Sequence, residues 1–344
     1  MSQNDKTIKC VVWDLDNTIW DGVLLEGNEV QLKPEILQII IELDKRGILH
    51  SIASKNTYKT AMEKLSQLGI QEYFLFPQIN WSAKSFSIEH IAKKLNLSLE
   101  SFAFIDDQDY ELEEVRTSHP EVLCIPVNST HAILHAECFN PRFITEDSRK
   151  RRLMYIDDFK RKSYEEDFQG PKLDFLKSLE MEMSLSEASE TDLRRVEELT
   201  LRTHQLNTTG YTYTYDELLN ILQSPNYILY VYSLKDRFGD FGKIGICLVE
   251  MQKDIWIIKL FLLSCRVMSR GLSEAALSHI CNLAKEKGVR IGAEFLSTEH
   301  NKTMYITYKF NGFQETKVNG DELFLECNLN KVFMYPDYIK INIF

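Results

Sequence analysis

Residues 9–18 read KCVVWDLDNT, and this stretch decides how the first part of the chain folds. Its first six residues form a short apolar, β-rich segment that ends in an acidic turn. A helical pattern of apolar residues then begins with a proline and runs over 34–43. The stretch therefore predicts a strand, a loop and a helix in that order.

The same alternation of strand and helix recurs as far as residue 127. The predicted strands are 48–54, 73–76, 102–105 and 122–127, and the predicted helices are 58–68 and 85–95. Strands that alternate with helices favour a parallel, doubly wound sheet with helices packed on it. We therefore predict an α/β domain over residues 1–139.

The chain changes character after residue 139. Residues 140–179 are charged and helical, and we interpret them as a helical linker. The basic run RKRR at 149–152 is either a solvated helix face or a docking patch for an acidic partner. From residue 180 to 344 most strands are joined by short turns, which predicts a mixed α+β domain. Its predicted strands are 181–185, 227–234, 243–250, 255–264, 289–296 and 323–328, with helices at 191–204, 273–287 and 301–310.

Composition is that of a folded protein. The 344 residues are 44% hydrophobic and 26% charged, and the net charge of −11 disfavours a general affinity for nucleic acid or anionic membranes. No apolar run is long enough to span a bilayer, and the N-terminal MSQNDK lacks the apolar core of a signal peptide. Seven scattered cysteines are typical of reduced thiols. We expect a cytoplasmic protein with neither a nucleic-acid nor a membrane partner.

Chemically coherent side chains stand at the predicted strand ends. Ligand sites in open parallel sheets lie beyond the carboxyl ends of the strands. The polar residues at these ends and at the next helix start are Asp14, Asp16, Ser54, Lys55, Lys84, Asp106 and Asp107. A lone DxD motif is often no more than a solvated turn, so only the whole set of polar residues indicates a functional site.

The carboxylates of this set suit Mg²⁺, which prefers a few hard oxygen ligands and keeps several waters. We predict as ligands Asp14, the backbone carbonyl of Asp16, and a carboxylate of Asp106 or Asp107. Once the metal offsets the negative charge of the phosphoryl group, Asp14 can attack phosphorus and form an aspartyl-phosphate. Asp16 can protonate the leaving oxygen and later activate water.

The remaining polar side chains are suited to bind phosphoryl oxygens. Lys84 offers a point charge and Ser54 a hydroxyl donor, with Lys55 beside it. The chain contains, in order, an acidic turn, a strand that ends in serine, a lysine at a helix start and a strand that ends in two aspartates. This order of motifs resembles the haloacid dehalogenase superfamily. Strands and helices already fill the stretches between Asp14, Ser54 and Lys84, so neither stretch can hold a cap domain. A capless site must exclude water with a large substrate, the second domain or a partner.

A basic loop in the second half has a different chemistry. The segment FLLSCRVMSRGLSEAAL at 261–277 places a glycine-containing loop between a strand and a helix. Its backbone N–H groups, with Arg266, Arg270 and Gly271, could hold a pyrophosphate or phosphopantetheine. Together with NKTMYITYKFNGF at 301–313, it resembles the acyl-CoA-binding core of GNAT-type acyltransferases.

Motifs over nearly the whole chain resemble the FkbH-like family of glyceryl transferase/phosphatases, in subfamily IIIC of the haloacid dehalogenase superfamily. They are KCVVWDLDNTIWDGV (9–23), ASKN (53–56), NWSAKS (80–85), FIDD (104–107), TEDSRKRRLMY (145–155), LRTHQLNTTGYTY (201–213) and SCRVMSRG (264–271). The resemblance implies a bifunctional enzyme that dephosphorylates 1,3-bisphosphoglycerate. It would load D-glyceryl onto the phosphopantetheine thiol of a separate acyl carrier protein, for polyketide-type biosynthesis.

Two other functions stay open at this point. The chain could be a magnesium-dependent phosphatase whose second domain is only a lid or docking surface. It could also be a carrier-binding scaffold without activity, although a scaffold needs neither Asp14 nor Asp16.

Thioester chemistry calls for a reactive thiol, and Cys265, at a strand end beside Arg266, is our catalytic candidate. Its alternative role is that of a small apolar residue. His204 and Asn207 could line a glyceryl pocket, or they could simply end a helix in polar residues. His204 stands where the family usually has Asn and Ser269 where it usually has Gly, and either departure could alter acyl specificity.

Overall fold

The computed structural model describes residues 7–27 and 29–344, and the chain divides into two compact units, Met1–Asp157 and Asp158–Phe344. The expectation that MSQNDK is not a signal peptide falls on residues 1–6, outside the described residues. The three-part division at residues 139 and 179 stays a prediction. Among the described residues, no helix combines the length and apolarity that a membrane span requires.

A parallel sheet of five strands forms the centre of the first unit, in the order β5-β4-β1-β6-β7. A short antiparallel hairpin, β2–β3, follows β1. The strands are β1 (Cys10–Trp13), β2 (Trp20–Asp21), β3 (Gln31–Leu32), β4 (Leu49–Ser54), β5 (Gln78–Ile79), β6 (Phe102–Asp106) and β7 (Leu123–Pro126). Every residue of β1 is fully buried, because β4 and β6 flank the strand and helices cover its faces.

Helices connect these strands, as predicted. They are α1 (Pro34–Lys45), α2 (Tyr58–Gln67), α3 (Lys84–Leu95) and α4 (Asp109–Ser118). After the last strand come α5 (Glu146–Arg149) and α6 (Arg151–Asp167), and α6 includes the boundary between the two units at Asp157. Helix α1 starts at its proline and buries Ile36, Ile39, Ile40 and Leu43, the spacing of one helical face. Helix α4 is absent from our sequence prediction.

The strand expected at 73–76 is wrong. Gln71–Tyr73 is a 3₁₀ turn, and Phe74 makes only an isolated bridge to His50. Phe76 has a left-handed φ of +50° and precedes a proline, so the chain turns there and pairs with β4 only at Gln78–Ile79.

Part of the predicted basic patch fastens its own segment to the first unit. The Arg152 guanidinium lies 3.0 Å from Asp44 and donates to the Glu72 carbonyl at 2.7 Å. Arg151 donates to the Gly47 carbonyl at 3.1 Å. These two side chains therefore have structural partners, and docking of an acidic protein at 149–152 stays a prediction.

The second unit contains a mixed sheet of eight strands, in the order β13-β14-β12-β11-β10-β9-β8-β15. Its strands are β8 (Met181–Glu187), β9 (Tyr227–Asp236), β10 (Gly239–Met251), β11 (Ile255–Leu263), β12 (Arg290–Leu296), β13 (Phe313–Asn319), β14 (Glu322–Cys327) and β15 (Ile339–Ile343). Its helices are α7 (Lys172–Ser178), α8 (Leu193–Arg202), α9 (Tyr215–Gln223), α10 (Leu272–Glu286) and α11 (Lys302–Phe310). The pairs β11–β12 and β8–β15 are parallel and the others are antiparallel.

The predicted fold class, an α/β unit followed by an α+β unit, is confirmed.

Candidate active site

Lys84 lies between two buried carboxylates at the carboxyl edge of the first sheet. Its Nζ is 2.5 Å from Asp14 Oδ1 and 2.7 Å from Asp106 Oδ2. Asp14 directly follows β1, Asp106 ends the neighbouring β6, and Lys84 begins α3. Asp14, Lys84 and Asp106 are 6%, 4% and 1% exposed, so water barely screens this charge cluster.

Burial sets the protonation chemistry of the cluster. It raises the pKa of Asp14 to about 7, although Lys84 and a hydrogen bond from Ser54 act in the opposite direction. For Lys84, burial favours the neutral amine, but Asp14 and Asp106 outweigh burial and raise the pKa of Lys84. Burial, and then the neighbouring Asp106, raise the pKa of Asp107. Lys84 is therefore protonated at neutral pH, and a further cation nearby would favour the ionised forms of Asp14 and Asp107.

The carboxylates have the arrangement of a divalent-cation site. One oxygen from each of Asp14, Asp106 and Asp107 lies within 4.8 Å of the others. Asp107 Oδ1 is buried and has no hydrogen-bond partner among the described residues. A buried carboxylate oxygen without a donor is costly, and a cation would satisfy it. These residues fit the predicted Mg²⁺, whose preferred ligands are oxygen atoms.

The Asp16 carboxylate has its own hydrogen-bond donors. Asp16 Oδ1 accepts hydrogen bonds from Trp20 Nε1 at 2.8 Å and from the Leu24 backbone N–H at 3.1 Å. Asp16 Oδ2 accepts from Asn56 Nδ2 at 3.1 Å. Protein donors therefore bind both oxygens of the side chain, and the backbone carbonyl of Asp16 stays its predicted metal ligand.

Ser54 and Lys55 have different surroundings although they are neighbours. Ser54 ends β4, is 4% exposed and hydrogen bonds with Asp14. Lys55 Nζ lies 2.5 Å from Oε1 of the buried Glu111 and 5.6 Å from the centre of the Tyr110 ring. The fold thus gathers Ser54 with the charge cluster, and it ties Lys55 to the start of α4.

Our sequence analysis misses the side chains that support this site. Asn56 and Trp20 bind Asp16, while Glu114 of α4 accepts from the backbone N–H of Ser85 at 3.1 Å, next to Lys84. Trp20 lies four residues after Asp16, and Asn56 lies two residues after Ser54. Both stand inside quoted motifs beside predicted site residues, which was a usable signal. Glu114 lies on the unpredicted helix and had no such signal.

Residues 20–119 match the family described as haloacid dehalogenase-like hydrolase. The matched range includes Ser54, Lys84, Asp106 and Asp107, and it begins after Asp14 and Asp16. Together with the carboxylate cluster, this match confirms the prediction of an enzyme of the hydrolase type. None of the curated proteins matches the sequence.

Several solved structures resemble parts of the chain. The N-terminal part of a Bacteroides fragilis protein, containing a phosphatase domain and complexed with Mg, is 27% identical, with a TM-score of 0.32. The match covers 44% of this chain and 40% of that one. The Escherichia coli ribosomal-protein-S18-alanine N-acetyltransferase is 14% identical over 44% of this chain and 96% of its own, with a TM-score of 0.35. The PaiA N-acetyltransferase from Thermoplasma acidophilum, in complex with coenzyme A, is 16% identical over 42% and 98%, also with a TM-score of 0.35. At these TM-scores the likenesses do not define what either unit does.

In the second unit, the predicted basic loop leads into helix α10. Gly271 precedes the helix with a φ of +78°, and a Cβ there would lie 2.3 Å from Tyr338 Oη. Ser269 has a φ of +62°, a conformation that glycine adopts more readily. The Arg266 guanidinium donates to the Phe241 carbonyl at 3.0 Å. Arg270 lies 5.6 Å from the Phe241 ring centre, and its buried Nη1 has no partner among the described residues.

Cys265 is exposed at the start of this loop, with its Sγ 4.0 Å from Gln205 Oε1. Partial desolvation raises the pKa of its thiol, although two backbone hydrogen bonds act in the opposite direction. A raised pKa leaves less thiolate at neutral pH, and the thiolate is the nucleophile. The surroundings of Cys265 are therefore not those of an activated cysteine.

His204 and Asn207, the two predicted glyceryl-binding residues, differ in their exposure to solvent. His204 is exposed, whereas Asn207 is fully buried. Asn207 Oδ1 accepts from the backbone N–H groups of Thr209 and Gly210, and Nδ2 donates to the Thr203 carbonyl. The Asn207 amide therefore holds its own turn together. A glyceryl-binding role for either residue stays a prediction.

The strands β11 and β12 pair over their first four residues and then separate. Residues 206–208 fill the gap between them. The two strands pair only from Ile255 to Ile258 on β11. Farther along, the Thr208 N–H donates to the Phe261 carbonyl at 3.0 Å, and the Leu296 N–H donates to the Thr208 carbonyl at 3.0 Å. The chain's own backbone therefore occupies part of this strand edge.

Proposed function

We propose that the chain is a Mg²⁺-dependent phosphatase whose first unit acts through an aspartyl-phosphate on Asp14. The observation that carries this proposal is the charge cluster, in which Lys84 Nζ lies 2.5 Å from Asp14 and 2.7 Å from Asp106. Asp14, Asp106 and Asp107, with the Asp16 carbonyl, would hold the metal, which supplies positive charge to offset that of the phosphoryl group. Lys84 and Ser54 bind phosphoryl oxygens, with Lys55 as a further candidate.

Two steps complete the hydrolysis. In the first, an Asp14 carboxylate oxygen attacks phosphorus, the bond to the leaving oxygen breaks, and a proton passes from Asp16 to that oxygen. In the second, Asp16 takes a proton from a water molecule whose oxygen attacks phosphorus, and the bond to Asp14 breaks. Inorganic phosphate leaves, and both aspartates return to their starting states.

We further propose that the substrate is 1,3-bisphosphoglycerate and that D-glyceryl passes to the phosphopantetheine thiol of a separate acyl carrier protein. The motif likeness to FkbH-like glyceryl transferase/phosphatases over both units supports this proposal. In the transfer, the thiolate sulfur attacks the C1 carbonyl carbon, a C–S bond forms, the C1–O bond breaks and the C1 phosphate leaves. Hydrolysis at Asp14 removes the C3 phosphate, so that the acyl group on the carrier is D-glyceryl. Arg266, Arg270 and Gly271 are the candidates for holding the carrier arm, and polyketide-type biosynthesis would consume the product.

The route of the acyl group has two versions, in which either Cys265 or the carrier thiol makes the first attack. The raised pKa of the Cys265 thiol favours direct attack by the carrier thiol. In that version the second unit aligns the carrier arm and forms no covalent bond.

A plain phosphatase is the second candidate function. Arg266 is bonded to a backbone carbonyl, and the Asn207 amide is used within its own turn. These two observations favour it, because they leave fewer groups for an acyl site.

One experiment separates the two functions. The full chain is incubated with 1,3-bisphosphoglycerate, Mg²⁺ and a candidate holo-carrier protein, and the intact mass of the carrier is measured beside phosphate release. A glyceryl mass shift on the carrier supports the transferase. Phosphate release without a mass shift supports the plain phosphatase, and neither signal would contradict both proposals.

A further inference from the structure

The Asp16 carboxylate accepts three hydrogen bonds from the protein. Oδ1 has two donors, Trp20 Nε1 and the Leu24 backbone N–H. Oδ2 has a single donor, Asn56 Nδ2, among the described residues. A carboxylate oxygen has two lone pairs. Oδ1 is therefore saturated, and one lone pair of Oδ2 stays open.

Both side-chain donors are fixed by their own surroundings. Asn56 is 1% exposed, and its Oδ1 accepts the Thr57 backbone N–H at 2.8 Å, just before α2. Trp20 is fully buried on the β2–β3 hairpin, where it pairs with Leu32. Rigid donors hold the carboxylate in one orientation, whereas solvated donors would let it rotate.

We propose that Asn56 and Trp20 are positioning residues that hold Asp16 so that the open lone pair of Oδ2 carries the proton given to the leaving oxygen. This inference rests on the proposed phosphatase function. In the first step the Oδ2–H bond breaks, the leaving oxygen gains the proton, and Asp16 becomes a carboxylate. Oδ1 cannot take this role, because both of its lone pairs already accept hydrogen bonds.

The test uses the basicity of the leaving oxygen. A general acid contributes most when the leaving oxygen is strongly basic, so phenyl phosphate depends on it more than p-nitrophenyl phosphate does. Asn56→Ala removes the Oδ2 donor, and Trp20→Phe removes the Oδ1 donor while it keeps an aromatic ring. In each variant of the full chain, we expect kcat for phenyl phosphate to fall roughly tenfold more than kcat for p-nitrophenyl phosphate. KM should change little, because neither side chain is placed to bind substrate.

Asn80→Ala is the matched control. Asn80 Oδ1 accepts the Ser82 backbone N–H at 2.8 Å in the loop before α3, and Asn80 is not among the described residues that donate to the Asp16 side chain. This change should affect both esters alike or not at all. Thermal unfolding of each variant identifies any general loss of structure.

Three outcomes are decisive. A selective loss with phenyl phosphate in both Asn56→Ala and Trp20→Phe supports the inference. Equal losses with the two esters, or no loss, would overturn it while leaving the phosphatase function in place. A parent protein that hydrolyses neither ester with Mg²⁺ present would overturn the proposed function, and this inference with it.

Discussion

The change Asp14→Asn should abolish phosphate release and, without metal, should stabilise the folded protein. The first effect follows because the nucleophile and a metal ligand are lost with little change in volume. The second follows because burial raises the pKa of Asp14 from 3.8 to about 7. Because the folded state favours the protonated form of the Asp14 carboxyl group, ionisation of this group destabilises the folded state.

The size and sign of the effect follow from proton binding. Between about pH 4 and pH 7 the folded state keeps a proton on Asp14 that the unfolded chain has lost. The parent's free energy of unfolding therefore falls as the pH rises through this window, and it stays low above pH 7. At roughly 1.4 kcal/mol per pH unit over about three units, the full cost is about 4 kcal/mol. An uncharged amide avoids this cost, so we expect a gain of roughly 2–4 kcal/mol at pH 8 and a much smaller gain at pH 4.5.

Urea unfolding with EDTA, at pH 4.5 and at pH 8, measures both values. Repeating the pH 8 experiment with Mg²⁺ should stabilise the parent more than the variant, because the metal binds only the folded carboxylates. The control is Glu63→Gln, which changes an exposed carboxylate 4.0 Å from Lys59 and should shift stability by less than about 0.5 kcal/mol. A variant less stable than the parent at pH 8 without metal, or an equal difference at both pH values, would refute the reasoning.

Four further predictions concern single steps or single contacts. Asp16→Asn should lower phosphate release by roughly 10²–10⁴-fold in a steady-state assay, and unchanged turnover would exclude acid–base catalysis by this residue. EDTA should stop phosphate release and added Mg²⁺ should restore it, so metal-independent turnover would contradict the proposed site. Cys265→Ala should leave glyceryl transfer to the carrier unchanged, as measured by mass spectrometry, because the raised pKa of this thiol favours direct attack by the carrier thiol. Loss of transfer would instead assign the acyl group to Cys265. Gly271→Ala should lower the unfolding midpoint by several degrees, since a Cβ would lie 2.3 Å from Tyr338 Oη at a φ of +78°, and an unchanged midpoint would show that the loop adjusts without cost.

The sequence predicts the first sheet and the positions of its acidic residues because the evidence is local. The buried run at Cys10–Trp13 and the DLDNT turn that follows it place Asp14 at a strand end without knowledge of the rest of the chain. The order of the other strands then brings Ser54 and Asp106 to the same edge, because parallel strands end on one side of a sheet.

The parts that escape prediction depend on tertiary contacts. Helix α4 has a polar sequence, and the buried Glu111 within it is held by Lys55, a contact between residues far apart in the chain. Strand β13 is exposed along most of its length and carries no apolar alternation. Helix α9 did have a local signal, because Thr214 and Glu217 form a capping box at its start.

The central claim is that Asp14 carries the phosphoryl group during turnover. The most direct measurement is acid quenching of the Asp16→Asn variant during reaction with 1,3-bisphosphoglycerate and Mg²⁺, followed by peptide mapping by mass spectrometry. The C1 leaving group of this substrate is a weakly basic carboxylate, so the first step should proceed without an acid at position 16, whereas the second step lacks its base. A phosphoryl group should therefore accumulate on the peptide that contains Asp14, and it should be absent in Asp14→Asn. A phosphoryl group found on Ser54 or another residue, or on the same peptide of Asp14→Asn, would contradict the account.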